Sequence, residues 1–231
     1  MTDLSDLWNA PVIAVVRAPR IPDAAALCAA LADGGIGFTE FTYTTPNVTE
    51  HLAGAAAAGW RVGVGTVLTA EQAERGIDVG ASFLVTPGCR PEVAEVGRAR
   101  GVPVVLGALT PTEVARAVDL GAAAVKIFPA RSFGPGYFKD LRGPYPDVPL
   151  VASGGVNAGN AAEFLAQGAL AVCAGTDVVP PAVVEAGDWA EITRRARAFT
   201  LACGTGAGRP AEAPGAARTS RAQGAAGTAG A

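Results

Sequence analysis

The chain has 231 residues, half of them hydrophobic and 17% charged, with 30 Gly, 17 Pro and a formal net charge of -3. That length suits a single domain of the size at which barrels fold as one unit, and it can bury about 70% of its unfolded surface without staples. An isoelectric point near 5.2 argues against nucleic acid as a main partner, and no apolar run reaches the 18 residues that a membrane span needs.

Met1-Thr2-Asp3-Leu4-Ser5-Asp6 carries neither the charged n-region nor the apolar h-region of a signal peptide. Cys28, Cys89, Cys173 and Cys203 are far apart, with no paired spacing for zinc or a redox couple. Scattered single cysteines read as reduced thiols in a cytoplasmic protein. His51 is the only histidine, so a zinc site with two or three His ligands is disfavoured. A Ser-His-Asp or Cys-His hydrolase would rest on His51 alone. The sequence places it on a surface helix over 47–58, where a solvated side chain is the simpler reading. No metal and no cofactor is expected.

In chain order the pattern is a strand followed by a helix. The strands are expected at 12–17, 38–43, 61–67, 83–87, 103–108, 124–129, 149–155 and 171–176. Helices are expected at 23–33, 70–79, 91–100, 112–120 and 160–167. Glycines close the helices before the next strand, at Gly34-Gly35, Gly59, Gly80, Gly101, Gly121 and Gly168. That is the left-handed C-cap position. Thr110-Pro111-Thr112-Glu113 supplies an N-cap, a Pro at the first helical position and an acidic first turn. Residues 1–8 are expected to form a short helix closing the barrel bottom, with Leu4, Leu7 and Trp8 turned inward. Residues 203–231 hold 7 Gly and 10 Ala and no Val, Ile, Leu or aromatic, so a disordered tail is expected after a domain over 1–202.

Eight short apolar strands with crossover helices read as a parallel sheet, and eight units in about 200 residues suit a single-domain (β/α)8 TIM barrel. An open doubly wound sheet is the alternative. It would need a phosphate fingerprint after the first strand, where Arg17-Ala18-Pro19-Arg20 is none. Gly63-Val64-Gly65 resembles the start of one, but lies inside the third strand.

A barrel builds its active site at the C-terminal strand ends. Reading each strand to its end selects Arg17, Glu40, Thr66, Thr86-Pro87, Lys126 with Phe128-Pro129, Ser153-Gly154-Gly155 and Gly175-Thr176. Of 18 basic residues only Lys126 and Lys139 are lysines. Arg cannot lose its proton in the useful pH range, so a lysine inside an apolar strand asks what Arg could not do there. Desolvation favours the neutral amine, which attacks a ketone to give a Schiff base. The structural alternative is a Lys paired with a carboxylate or reaching to the rim. Lys139, in 136–142, reads as a solvated helix residue. Glu40 either pairs with Lys126 or Arg17 or carries protons as general acid and base, and the two roles are compatible. The glycine turns after strands seven and eight suit phosphate, because backbone N–H groups can approach its oxygens. Ordinary tight turns are the alternative.

These motifs resemble one family. Val15-Val16-Arg17, Glu40-Phe41-Thr42, Gly63-Val64-Gly65-Thr66-Val67, Thr86-Pro87-Gly88, Lys126-Ile127-Phe128-Pro129-Ala130, Gly143-Pro144-Tyr145-Pro146, Ser153-Gly154-Gly155-Val156 and Gly175-Thr176 fall in order and at spacings similar to those of the 2-keto-3-deoxy-6-phosphogluconate (KDPG) aldolases, which often also cleave 4-hydroxy-2-oxoglutarate. The resemblance covers about residues 10–200. It implies a class I, metal-free aldolase of Entner-Doudoroff carbohydrate metabolism, and usually a homotrimer. Its substrate would be a phosphorylated keto-deoxy sugar acid, with pyruvate as product. It also implies Lys126 as the Schiff-base lysine and Glu40 as the acid/base. Thr66, Pro87 and Phe128 would line the pyruvyl pocket, and Gly154, Gly155 and Thr176 would hold the phosphate, with Ser153 and Gly175 in the same turns as further substrate-binding candidates. Two departures stand out. Many members carry Arg four residues after the Glu, where this chain has Thr44; Arg17 is one candidate to supply the missing charge, and backbone amides are the other. Asp177 follows Thr176 where many members have an aromatic, and is expected to face away from phosphate. A relative acting on the galactonate epimer shares the Lys-Ile-Phe-Pro run, so the epimer stays open. A phosphosugar epimerase or isomerase, and a non-catalytic keto-acid or phosphate sensor, are the readings from other classes.

Overall fold

The computed structural model describes residues 4, 7 and 9–204. Eight parallel strands form a closed barrel in chain order: β1 (Val12–Val16), β2 (Phe38–Thr42), β3 (Val62–Gly65), β4 (Leu84–Val85), β5 (Val104–Ala108), β6 (Ala124–Ile127), β7 (Leu150–Ala152) and β8 (Ala171–Ala174). The ring closes where Val12 of β1 registers with Val172 of β8. The helices outside it are α1 (Ala24–Asp33), α2 (Val48–Ala57), α3 (Ala70–Asp78), α4 (Pro91–Arg100), α5 (Pro111–Asp119), α6 (Gly136–Arg142), α7 (Ala161–Ala166), α8 (Pro181–Ala186) and α9 (Trp189–Gly204). The closed ring excludes the open doubly wound sheet.

Local chemistry sets the boundaries. Thr110 and Glu113 form a reciprocal capping box ahead of α5 with Pro111 at its first position, as the motif predicts. Gly35, Gly59, Gly80, Gly101, Gly121 and Gly168 all take left-handed φ between 67° and 105°. There a Cβ would be strained, so glycine ends each helix. The strands are shorter than expected at their C-terminal ends. Arg17, Tyr43, Thr66, Val67, Thr86, Pro87, Phe128, Pro129, Ser153, Gly154, Gly155, Gly175 and Thr176 all lie beyond the strand ends. Those apolar and β-branched runs overshoot because the chain turns outward once pairing ends: Thr66 has φ 58°, Gly154 91° and Gly155 84°.

One boundary needs correction. The tail was expected from 203, but α9 runs to Gly204, and Cys203 is 3% exposed within the core. The remainder of that segment, 205–231, lies outside the described residues. So does the expected helix over 1–8, with Trp8, apart from Leu4 and Leu7, which are both buried.

Two apolar regions hold the fold. The larger lies between the strands and the helix ring and contains Phe41, Leu106, Phe138, Phe164, Ile192 and Phe199. The smaller fills the barrel itself: Leu4, Leu7, Ile13, Phe38, Phe83, Val105, Ala124, Val151 and Ala171. Side chains two positions apart on a strand share a face. Each interior residue of this lower layer is therefore followed, one layer up, by another interior residue. Val15 follows Ile13, Glu40 follows Phe38, Lys126 follows Ala124 and Cys173 follows Ala171. The apolar plug below thus presents a layer of chemistry-bearing side chains to the C-terminal mouth. The helix seam where the ring closes is tied by Thr193, whose hydroxyl donates to Ala30 O at 2.9 Å, and by Thr200, whose hydroxyl donates to Gly34 O at 2.9 Å.

Candidate active site

A cavity of about 790 Å³ opens at the C-terminal mouth. Arg17, Glu40, Thr44, Thr66, Pro87, Lys126, Phe128, Ser153, Gly154, Gly155, Gly175 and Thr176 all line it, whereas Thr86 and Pro129, also selected at strand ends, do not. His51, on α2, and Lys139, exposed on α6, do not line it.

Lys126 and Glu40 form its floor. Their side chains are 8% and 1% exposed, and Lys126 Nζ lies 4.0 Å from Glu40 Oε1. Of the two partners foreseen for Glu40, it is Lys126 and not Arg17 that makes the ion pair. No donor among the described residues hydrogen-bonds either Glu40 oxygen. Burying a carboxylate without donors is costly, so this geometry suits a group that exchanges protons with something bound in the cavity. The carboxylate has room only because β3 ends in Gly65. A Cβ there would sit 1.8 Å from Glu40 Oε1. Phe128 roofs the amine, with Nζ 5.5 Å from the ring centroid. Cys173 shares the floor. Burial pushes its thiol up to about 11, outweighing the nearby Lys126 charge, which disfavours a thiolate nucleophile.

The walls are turns. Thr66 keeps a left-handed backbone although it is β-branched, a strained conformation that surrounding contacts must hold. Val67 N, donating to Val85 O at 3.2 Å, and Tyr43 N, donating to Gly65 O at 2.9 Å, pin that turn on both sides. Pro87 is placed by buried Thr86, whose hydroxyl donates to Gly88 O at 2.6 Å and accepts from Gly107 N at 3.1 Å. Gly107 must be glycine, because a Cβ would lie 2.2 Å from the Pro87 carbonyl carbon. Thr44 shares a hydrogen bond of 2.9 Å with Thr42. Arg17 is exposed at the end of β1 and makes no ion pair among the described residues. At the other side, Val178 N and Val179 N both donate to Gly175 O, closing the turn after β8. Asp177 also borders the cavity, but its Oδ2 accepts from Ala158 N at 2.8 Å, so the carboxylate is engaged by the loop after β7.

Val15, Arg131, Val156, Asn157, Cys173, Asp177 and Val179 complete the lining, and none was among the selected site residues. Val15 and Cys173 carried a usable signal, since each lies two residues beyond an interior apolar position. Arg131 and Asn157 carried none, because they sit in irregular turns.

A buried amine facing a buried carboxylate at the mouth of a (β/α)8 barrel supplies what a carbon-carbon lyase working through an imine requires. Residues 4–195 match the model of the KDPG and KHG aldolases. The 2-dehydro-3-deoxy-phosphogluconate aldolase of Treponema pallidum is 38% identical over 84% of this chain and 93% of its own. A probable 2-dehydro-3-deoxy-6-phosphogalactonate aldolase of Rhizobium meliloti is 34% identical over 77% and 85%. The structure of the Legionella pneumophila KDPG aldolase, with pyruvate captured as a covalent carbinolamine, superposes with a TM-score of 0.78 at 29% identity over 84% of this chain and 96% of its own. The chain belongs to the KDPG and KHG aldolase family.

The Gly65 contact gives a direct test of Glu40. Gly65→Ala should displace the carboxylate and lower kcat by about 100-fold or more while the barrel stays folded, in line with the usual contribution of a positioned acid-base group. Circular dichroism and steady-state turnover of the variant check this; a folded variant with parental kcat would show that Glu40 does not carry the proton.

Proposed function

We propose that the protein cleaves 2-keto-3-deoxy-6-phosphogluconate to pyruvate and glyceraldehyde 3-phosphate, with 4-hydroxy-2-oxoglutarate, split to pyruvate and glyoxylate, as a second substrate. The observation that carries this reading is the isolated Lys126–Glu40 pair, 4.0 Å apart on the cavity floor. Lys126 passes a proton to Glu40 and its amine adds to the C2 ketone; Glu40 returns that proton to the departing hydroxyl, so water leaves and a protonated imine remains. Glu40 takes the proton of the C4 hydroxyl, the C3–C4 bond breaks, and its electron pair moves onto the imine to form an enamine. Glyceraldehyde 3-phosphate leaves. The enamine is protonated at C3 and water releases pyruvate, restoring the amine. The imine supplies the electron sink, so no metal is called for.

In this reading Thr66, Pro87 and Phe128 enclose the pyruvyl end, and Ser153, Gly154, Gly155, Gly175 and Thr176 receive the phosphate. The keto-acid carboxylate falls to Arg17. Thr44 offers one neutral hydrogen bond, worth about 1 kcal/mol, whereas a charge-assisted bond contributes about 1.5–3 kcal/mol. The similarity to both gluconate- and galactonate-named relatives makes the C4 configuration a matter for the same cleavage assay run on both epimers. All four cysteines are free, in keeping with a cytoplasmic enzyme.

Incubation with pyruvate and borohydride should add a stable adduct to Lys126, found by peptide mass spectrometry, in the presence of a chelator as well as in its absence. Folded protein with an unmodified Lys126 sinks the imine mechanism. Arg17→Met should weaken pyruvate binding by about tenfold or more, the equivalent of one lost charge-assisted bond. Unchanged pyruvate affinity would move the carboxylate to Thr66, Thr44 or backbone amides. For the homotrimer implied by the family resemblance, Phe133, 59% exposed with its ring centroid 4.8 Å from that of Tyr137, offers one apolar contact point. Light scattering should give three times the chain mass, and a monomeric mass would refute it.

A further inference from the structure

Three cations line the cavity: Arg17, Lys126 and Arg131. Lys126 pairs with Glu40, Arg17 has the carboxylate assigned to it above, and the reaction as written leaves Arg131 without a task. Its place is nonetheless closely built. It lies on the 3-10 turn Ala130–Ser132 that follows β6. Ala130 N donates to Ser153 O at 2.7 Å and Arg131 N donates to Gly154 O at 3.0 Å, so the turn after β6 is hydrogen-bonded to the glycine turn after β7. The Arg131 stem lies on Gly155: a Cβ on that glycine would be 2.5 Å from Arg131 Cβ and 2.8 Å from its Cδ. Gly155, at φ 84°, is thus glycine for two reasons, its backbone and the arginine stem above it. The residue is exposed, and among the described residues it makes no ion pair. The acidic side chain bordering the same region, Asp177, has an oxygen engaged by Ala158 N.

We propose that Arg131 is a specificity-determining residue that grips the terminal phosphate of the substrate. The inference rests on the aldolase reading above and goes beyond it by naming a charged contact where the glycine turns offer only neutral N–H donors. The guanidinium fork matches two phosphate oxygens at once, and its charge complements a dianion. Because the turn that carries it follows directly from the strand of Lys126, one segment holds both the bond-making amine and the group that fixes the far end of the substrate.

Cleavage kinetics of 2-keto-3-deoxy-6-phosphogluconate and of unphosphorylated 2-keto-3-deoxygluconate, measured on the full chain and on R131A, R131Q and R131K, test the assignment. R131A and R131Q should raise KM for the phosphorylated substrate about tenfold or more, leave its kcat within about twofold, and leave kcat/KM for the unphosphorylated substrate as in the parent. R131K should recover part of the loss, since it keeps the charge without the fork. An unchanged KM for the phosphorylated substrate in either neutral variant, or an equal loss with both substrates, overturns the proposal. Pyruvate and borohydride trapping of the same proteins keeps the two levels apart. A parent chain without a Lys126 adduct overturns the aldolase reading, whereas adducts in parent and variants, with undiminished preference for the phosphorylated substrate, overturn the role of Arg131 alone.

Discussion

The structure depends on one electrostatic constraint: a carboxylate and an amine are buried with each other as the nearest charged partner, 4.0 Å apart. β2 and β6 stand four strands apart in the ring of eight, so Glu40 and Lys126 reach toward each other across the barrel interior. Any side chain on the strands between them would occupy that space. Gly65 on β3 leaves room for the carboxylate itself, and Gly107 on β5 lets the Pro87 turn close over the layer. In an interior of low effective dielectric, removal of either charge leaves the other uncompensated, which usually costs a protein several kcal/mol, on the order of 3–5. The sequence tolerates that arrangement because the layer beneath is filled by Phe38, Phe83 and their neighbours, which hold the strands at fixed separation. Polar chemistry above and apolar packing below are two consecutive layers of one alternating pattern.

Much of this was legible in the sequence, for identifiable reasons. Strand and helix order followed from apolar runs punctuated by glycine, and six of the helix-closing glycines have the left-handed backbone that their position implies. Lys126 stands out through composition, because only it and Lys139 among 18 basic residues are not arginine, and Lys139 lies outside the strands. Glu40 stood out as a charge inside an apolar strand. What was not legible lies where the backbone leaves regular structure. Strand ends reach less far than the apolar runs suggest because the backbone turns away at Thr66 and at Gly154-Gly155, a change of φ that the side-chain pattern does not carry. The choice between Lys126 and Arg17 as partner of Glu40 needed the barrel closed, since it depends on which strands face each other. Cys203 was assigned to a tail by its Gly/Ala-rich surroundings, yet it belongs to α9, whose buried face includes Ile192, Ala196 and Phe199 at helical spacing.

The strained Thr66 and the crowded Gly107 describe the same economy of space. Each holds a turn close to the cavity at the expense of local freedom, and each is fixed by hydrogen bonds from neighbouring strands rather than by its own element. The mouth is therefore rigid where it borders the reacting atoms and more open where Arg17, Thr44 and Arg131 reach solvent.

Ring closure has a further consequence. β1 pairs with β2 only some 25 residues along the chain, whereas its pairing with β8 brings together residues 160 apart, and the Thr193 to Ala30 bond spans 163. Loop-closure entropy is thus concentrated in a single seam. An open sheet of eight strands would present two unpaired edges able to recruit strands from other molecules. The threonine contacts of α9 with α1 lie over that seam and hold the first and last units together. The final helix thereby helps to keep both end strands paired within the ring, a task separate from the chemistry at the mouth.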